Sequence, residues 1–233
     1  MAKYLVIVPA RAGSKGIRFK NLLEIDGTSL IGRAITAAFE TELDVDVVLS
    51  SENDQILKEG FKFGARLHRR PEHLATDTAT TISVVQDVLN ATNYKPELVI
   101  VLQPTSPFRT KEDIASSIRL ALTSECDSVI SVCETSNEIL KTFCINQKGY
   151  AEGIYTADAP FSPRQLLPKV YKANGAIFIA TLSVIKEHNR LYGEKLIPFI
   201  MEKKNSLDID SHEDLRGFNY KLFVEKKCLS VDL

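Results

Sequence analysis

The chain has 233 residues, 25% charged and 44% hydrophobic, the profile of a globular protein large enough to bury a substantial core, which excludes disorder, collagen and coiled coil. Lys plus Arg total 29 against 30 Asp plus Glu, so the net charge of -1 supplies no overall field for holding DNA or RNA, and a bound anion must be gripped locally. The four cysteines, Cys126, Cys133, Cys144 and Cys228, show no CxxC spacing and read as small core residues rather than a zinc site or redox pair.

The chain opens with only a short apolar stretch, far below the roughly 20 residues of a membrane span, and reads as a cytoplasmic protein with no membrane partner. Tyr4 to Pro9 (YLVIVP) is a continuous apolar run, as a strand buried on both faces of a parallel sheet requires. Leu30, Ile31, Ala34, Ile35, Ala38 and Phe39 then repeat at helical spacing, with Ser29 available as cap. The alternation continues with a strand at Asp46 to Ser50, helices at Asp54 to Gly64 and Ile82 to Ala91, and a buried strand at Glu97 to Leu102. A helix at Lys111 to Leu122 and a strand at Ser128 to Val132 follow. Strands alternating with amphipathic helices predict a layered α/β/α sheet whose ligands sit beyond the carboxyl ends of the strands.

The rhythm breaks between Glu134 and Tyr171, a stretch with Gly149, Gly153, Pro160, Pro163 and Pro168 and no convincing helix. A structureless loop of that length is uncommon in a compact domain, so it reads as an inserted arm of short strands, one near Thr142 to Asn146, suited to packing on a second copy of the chain. The core resumes at Gly175 to Ala180, with a helix near Leu182 to His188, a strand at Leu196 to Met201 and a closing helix at Glu213 to Glu225. No linker composition divides the chain, which reads as a single domain, residues 1–233, with an arm at about 134–171.

Four segments carry candidate chemistry. Directly after the first strand, Ala10-Arg11-Ala12-Gly13-Ser14-Lys15-Gly16 offers exposed amides, two glycines and two cations, a combination that lets backbone approach phosphates. It matches neither GxxxxGK[ST] nor GxGxxG, and a solvated turn with two surface cations is its other reading. Lys20-Asn21 keeps the segment polar and cationic. Asp208-Ile209-Asp210 places two carboxylates at i and i+2, on one face of an extended chain, which suits Mg²⁺ completed by water and phosphate oxygens. The same residues also read as a helix start, with Ser211 and Asp214 as a capping box, and both readings can hold together. Gln103 ends the third buried strand, where a ligand donor is expected, and the Pro104 and Pro107 loop beyond it reads equally as a structural turn. Arg69-Arg70-Pro71 with Asp77-Thr78-Ala79-Thr80-Thr81 is cationic and hydroxyl-rich, suited to a base edge or a ribose, although Thr runs also cap helices. Lys141, Arg164 and Lys172 supply cations in and beside the arm for an acidic small molecule, or serve as solvated surface charges.

Taken together, VPARAGSKG with Lys20-Asn21, RRPEHLATDTATT, LQPTSPFRT, PRQLLP, YKANGAIFI and SLDIDSHEDL closely resemble, in that order over nearly the whole chain, the acylneuraminate cytidylyltransferases, the CMP-N-acetylneuraminate synthetase family. The resemblance implies a Rossmann-like nucleotidyltransferase fold, a three-layer α/β/α sandwich with a mainly parallel sheet and an inserted dimerisation arm. It implies transfer of CMP from CTP to the anomeric hydroxyl of a nine-carbon 2-keto sugar acid, with Mg²⁺ as cofactor and a homodimer as the working form. By carry-over, Ala10, Arg11, Gly13, Ser14, Lys15 and Asn21 lie along the triphosphate, and Arg70, Ala79 and Thr81 lie against the cytidine. Asp208 and Asp210 match the magnesium aspartates, with Arg11 and Lys15 joining them as catalytic groups. Gln103, Lys141, Arg164, Lys172 and Phe178 match the acid-sugar side, some of them reaching the partner's site.

Two departures bear on the substrate. The family commonly has Arg where Lys172 stands, and Tyr where Phe178 stands, so a bidentate grip becomes a point charge and a hydroxyl donor is lost. N-acetylneuraminate is the leading expectation for the acid. Legionaminate and pseudaminate, deoxy relatives with more apolar substituents, tolerate Phe178 well, and the CMP-Kdo synthetases rank lower because their first loop differs. A non-catalytic nucleotide-sugar binding protein is the reading from another class, and it has no need of both aspartates.

Overall fold

The structure is a computed structural model that describes residues 3–92 and 94–222. In chain order its strands and helices are β1 (Tyr4–Pro9), β2 (Glu24–Ile25), β3 (Thr28–Ser29), α1 (Leu30–Phe39), β4 (Val45–Ser51), α2 (Asp54–Lys62), β5 (Arg66–Arg69) and α3 (Thr81–Thr92). They continue as β6 (Leu98–Val101), α4 (Lys111–Thr123), β7 (Ser128–Thr135), β8 (Phe143–Ile145), β9 (Ala151–Gly153), β10 (Val170–Thr181), α5 (Leu182–His188), β11 (Leu196–Ile200) and β12 (Tyr220–Lys221).

The main sheet has seven strands in the order β11-β7-β10-β6-β1-β4-β5. β10 alone runs antiparallel, pairing with β6 and β7, and the other pairs are parallel. The period of two along β1 divides its side chains between two cores. Tyr4, Val6 and Val8 pack with Ile31, Ile35 and Ile118 of α1 and α4, while Leu5 and Ile7 pack with Val85, Val88 and Ile185 of α3 and α5. Burying apolar area on both faces is what the uninterrupted YLVIVP run encodes, at about 25 cal/mol per Å² removed from water. Helix starts are capped by side chains: Ser29 accepts from Gly32, Asn53 from Gln55 and Ile56, and Thr110 forms a capping box with Asp113.

A third, smaller core positions the site. Ile17, Leu23, Ile25 and Leu30, from the loop and hairpin after β1, pack with Ile209 and Leu215 from the far end of the chain. β12 closes this unit by pairing with β2.

The arm forms a small hairpin of β8 and β9 with short 3-10 turns at Asn137–Lys141, Ala159–Phe161 and Arg164–Leu166. No helix among the described residues is long and apolar enough to cross a membrane. Three sequence expectations need correction. In place of a closing helix, the chain makes a 3-10 turn at His212–Leu215, breaks at Gly217 (φ 88°) and enters β12; residues 223–225 lie outside the described residues. The core strand expected from Gly175 begins at Val170, so β10 takes in the last residues assigned to the arm. Cys144 is exposed and Cys133 half-buried, so neither is a core residue; half-buried Cys126 packs against the first core, and Cys228 lies outside the described residues.

Candidate active site

The loop after β1 is tied down by its own backbone. Ala10 N–H donates to Ser50 O at 3.0 Å and Ala12 N–H to Glu52 Oε1 at 2.7 Å, fastening it to the end of β4. Asn21 Nδ2 donates to Arg11 O at 2.8 Å and closes the loop on itself. The Ala10 amide, placed by sequence along the triphosphate, is therefore already spent, and Ala10 is 1% exposed. Gly13 has open space where a Cβ would stand.

This loop meets the acidic couplet 190 residues away: Lys20 Nζ lies 2.9 Å from Asp210 Oδ1. A Cβ at Gly16 would collide with the Asp210 carbonyl oxygen, so the close approach needs glycine there. Ile209 is fully buried between the two aspartates, and its N–H donates to Thr105 O at 2.8 Å, sewing the couplet to the loop after β6. Asp214 Oδ2 accepts from the Asp210 and Ser211 amides and from Ser211 Oγ, so the capping box coexists with an exposed Asp210.

Beside this junction lies a cavity of about 230 Å³ lined by Arg11, Gly13, Ser14, Lys20, Asn21, Arg70, Asp77, Ala79, Thr81, Gln103 and Thr105, among others. One wall is Arg70, 4% exposed, whose guanidinium donates to Ser50 and to Leu74 O. Asp77 holds both loop cations, with Arg11 Nη2 at 2.7 Å and Lys15 Nζ at 3.0 Å, and those two bonds keep its pKa below the ordinary carboxylate value.

Asp208 behaves oppositely. Burial, with the charge of Asp210 adding to it, pushes its pKa up against a hydrogen bond from Thr105, and its Oδ1 is buried without a hydrogen-bond partner among the described residues. Gly175 (φ 74°) sits where a Cβ would stand 3.0 Å from Gln103 Oε1 and 3.7 Å from Asp208 Oδ2. That residue occupies a break in register where β10 bulges between Ala173 and Phe178. Buried Asn174 fixes the bulge, accepting from Ser131 Oγ and donating to Ser206 Oγ. Arg109 braces it from below, donating to Gln103 O and Ala176 O while burial lowers its pKa to about 10, so it stays charged. An unsatisfied carboxylate oxygen beside a second aspartate fits a hard divalent cation such as Mg²⁺, which takes only one or two protein carboxylates. No group of three or more potential metal ligands occurs among the described residues.

The profile of the cytidylyltransferase family matches residues 5–221. The chain belongs to that family. The chain is 31% identical over 97% of its length to an N-acylneuraminate cytidylyltransferase of Escherichia coli O18:K1:H7, covering 52% of that protein. It is 32% identical to a CMP-N,N'-diacetyllegionaminic acid synthase of Legionella pneumophila, with 91% of this chain and 93% of that one aligned. The chain thus spans about half the length of the E. coli relative and nearly all of the Legionella one. In fold it superposes on a CMP:2-keto-3-deoxy-manno-octonic acid synthetase complexed with CTP, with a TM-score of 0.70 at 15% identity, covering 92% of this chain and 95% of that one.

In this chain the sequence-predicted residues other than Ala10 fall into three groups. Arg11, Gly13, Ser14, Asn21, Arg70, Ala79, Thr81 and Gln103 line the cavity; Lys15 joins through Asp77, and Asp208 and Asp210 through Gln103, Gly175 and Lys20. Phe178 lies elsewhere, in an adjoining apolar cavity of about 290 Å³ with Ile82, Ile130, Leu191, Tyr192 and Leu196, which shares Thr80 and Thr81 with the first. Lys141, Arg164 and Lys172 do not line the cavity; Lys141 and Arg164 are on the arm, where Arg164 pairs with Glu138, and Lys172 is exposed on β10. Sequence reasoning saw Lys20 and Asp77 only as charges in polar segments, and gave Asp214 a cap without its hold on the Asp210 amide. No local pattern marks the pairings of Lys20 and Asp77, because their partners are distant along the chain.

Proposed function

We propose that the protein transfers CMP from CTP to the anomeric hydroxyl of a nine-carbon 2-keto sugar acid, N-acetylneuraminate in the leading reading, giving a CMP-sugar and pyrophosphate. The observation that carries the proposal is the junction of the cationic loop and the acidic couplet at one cavity wall, marked by the Gly16 contact and the Lys20–Asp210 ion pair, in a chain of this family.

In this reading Arg70, Ala79 and Thr81 receive the nucleoside, while Arg11 and Lys15 exchange Asp77 for the triphosphate oxygens. The sugar hydroxyl oxygen forms a bond to the α-phosphorus and gives up its proton to solvent water as the bond to the β-phosphate oxygen breaks, and pyrophosphate leaves with the electron pair. Lys15 and Arg11 stabilise the charge that gathers on the leaving oxygens, and Gln103, held beside Asp208 at the β10 bulge, orients the acceptor. Asp208 and Asp210 would hold Mg²⁺, which when bound supplies positive charge against the phosphate oxygens. The exposed apolar side chains of the arm, Ile145 at 70%, Phe161 at 80% and Leu166 at 77%, support a homodimer in which Lys141 and Arg164 serve the neighbouring site.

A second reading, legionaminate or pseudaminate as the acid, is favoured by the apolar cavity around Phe178, which suits deoxy and acyl substituents better than hydroxyls. Pyrophosphate release measured with CTP and Mg²⁺ against N-acetylneuraminate, legionaminate, pseudaminate and Kdo tests both. Release is expected only when CTP, metal and a nine-carbon acid are all present. CTP binding with no release from any acid would leave the non-catalytic binding protein as the correct reading.

A further inference from the structure

Behind Arg70 stands a row of buried polar groups that the transfer chemistry does not use. Arg70 Nε donates to Ser50 Oγ at 3.3 Å and Nη2 to Ser50 O at 2.6 Å. Ser50, fully buried at the end of β4, has His68 Nδ1 of β5 at 3.2 Å from the same Oγ. On the far side of the imidazole, Nε2 lies 3.3 Å from Asp87 Oδ2 on α3. That contact is off the line of a full hydrogen bond, yet Asp87 Oδ2 is buried and has no hydrogen-bond donor among the described residues. The row Asp87–His68–Ser50–Arg70 therefore runs from α3 under the edge of the sheet to the cavity wall.

Donor chemistry fixes its direction. An arginine N–H only donates, so Ser50 Oγ accepts from Arg70 and has its own hydrogen to give. An ionised Asp87 only accepts, so the His68 nitrogen facing it carries a proton. The other nitrogen, Nδ1, is then the acceptor that the Ser50 hydroxyl requires, provided the ring is neutral. A second proton on His68 turns Nδ1 into a donor, strands the Ser50 hydrogen and adds positive charge beside Arg70. The charged groups facing the ring are Asp87 from α3, with Arg66 and Arg70 from β5 and its end. Burial, with Arg70 and Arg66 adding to it, holds the imidazole below its ordinary 6.5 against the pull of Asp87, so the ring is neutral at pH 7.

We propose that His68 is a positioning residue for the nucleotide: as the neutral, Nε2-protonated tautomer it orients Ser50, and through Ser50 fixes the Arg70 guanidinium on the cavity wall in the geometry that CTP binding uses. The inference rests on the reading of the cavity as a CTP site and adds a pH-sensitive support to it.

The test is KM for CTP and kcat from pH 5 to 8 for the full chain, its His68→Leu variant and its His68→Asn variant, each checked for folding by circular dichroism. Asparagine offers an acceptor near the place of Nδ1 and does not titrate. His68→Leu is expected to raise KM for CTP about fivefold to tenfold at pH 8 with kcat within about twofold. His68→Asn is expected to return KM to within about twofold of wild type at pH 8. The wild-type to His68→Asn ratio of KM, which cancels the titration of CTP itself, is expected to climb about threefold or more toward pH 5. An unchanged KM in His68→Leu, or a flat ratio, overturns the proposal, and the ratio decides alone if the leucine variant does not fold. Wild-type protein that binds no CTP in calorimetry refutes the nucleotide reading instead, whereas binding with a flat ratio refutes only the role of His68.

Discussion

Asp208 carries a buried oxygen with no hydrogen-bond partner among the described residues, and burial followed by the charge of Asp210 raises its pKa above the ordinary 3.8. A carboxyl whose pKa is higher folded than unfolded contributes stability that is complete below pH 3.8 and is lost as pH rises through the folded value. At neutral pH, then, the metal-free protein bears a cost at this residue. Asp208→Asn is expected to stabilise it by about 1 kcal/mol, a rise of roughly 2–4 °C in Tm, while cutting pyrophosphate release at least about 100-fold. Thermal melts with and without Mg²⁺ check the pair of effects: Mg²⁺ is expected to raise the wild-type Tm and leave the variant unmoved. Asp77 makes a complementary case, since it occupies Arg11 and Lys15, the cations to which the proposed reading gives the phosphates. In Asp77→Ala, calorimetry is expected to find CTP bound about threefold tighter at low salt, with the gain fading near 0.5 M as screening weakens the competing pairs. Arg11, Lys15 and the couplet were legible in the sequence because each follows directly on a buried strand or a distinctive DxD. Asp77 as their counter-ion was not, because that pairing exists only after folding.

Among the elements, β10 does the most to shape the site. Its bulge at Asn174 and Gly175 lets one strand serve the sheet below and reach Gln103 and Asp208 above. Gly175→Ala meets both a positive φ and the Gln103 side chain, so a loss of about 1–3 kcal/mol in stability is expected, with kcat lowered more than KM for CTP is raised. Chemical denaturation and steady-state kinetics together read both effects. The long helices and the buried strands were visible in the sequence as periods of 3.6 and as unbroken apolar runs. β5 was not, since in Arg66-Leu67-His68-Arg69 only the histidine is buried. Two-residue strands such as β2, β3 and β12 are too short to carry a period at all. The closing segment imitates a helix because Leu215 and Phe218 are three apart, but they meet the third core from a 3-10 turn and a loop, on either side of Gly217.

At the scale of the whole molecule, the exposed apolar side chains of the arm are the surface that the proposed dimer would cover. Replacing Phe161 and Leu166 together by aspartate is expected to convert a sedimenting dimer to a monomer and to lower pyrophosphate release about tenfold or more, without altering CTP affinity. A wild-type chain that sediments as a monomer contradicts the dimer directly. The layered fold was legible because strand and helix alternate along the chain, whereas the third core, which draws residues 17–30 against 209–215, joins segments too distant for any local pattern to link. That core holds the cationic loop after β1 and the acidic couplet together beside one cavity. The most direct measurement is therefore a structure of the protein crystallised with a non-hydrolysable CTP analogue and Mg²⁺. The expected map has the cytosine against Arg70 and Ala79, the phosphates on Arg11 and Lys15 in place of Asp77, and the metal between the phosphates and the Asp208–Asp210 couplet. Nucleotide bound elsewhere, with both cations still paired to Asp77, would contradict it.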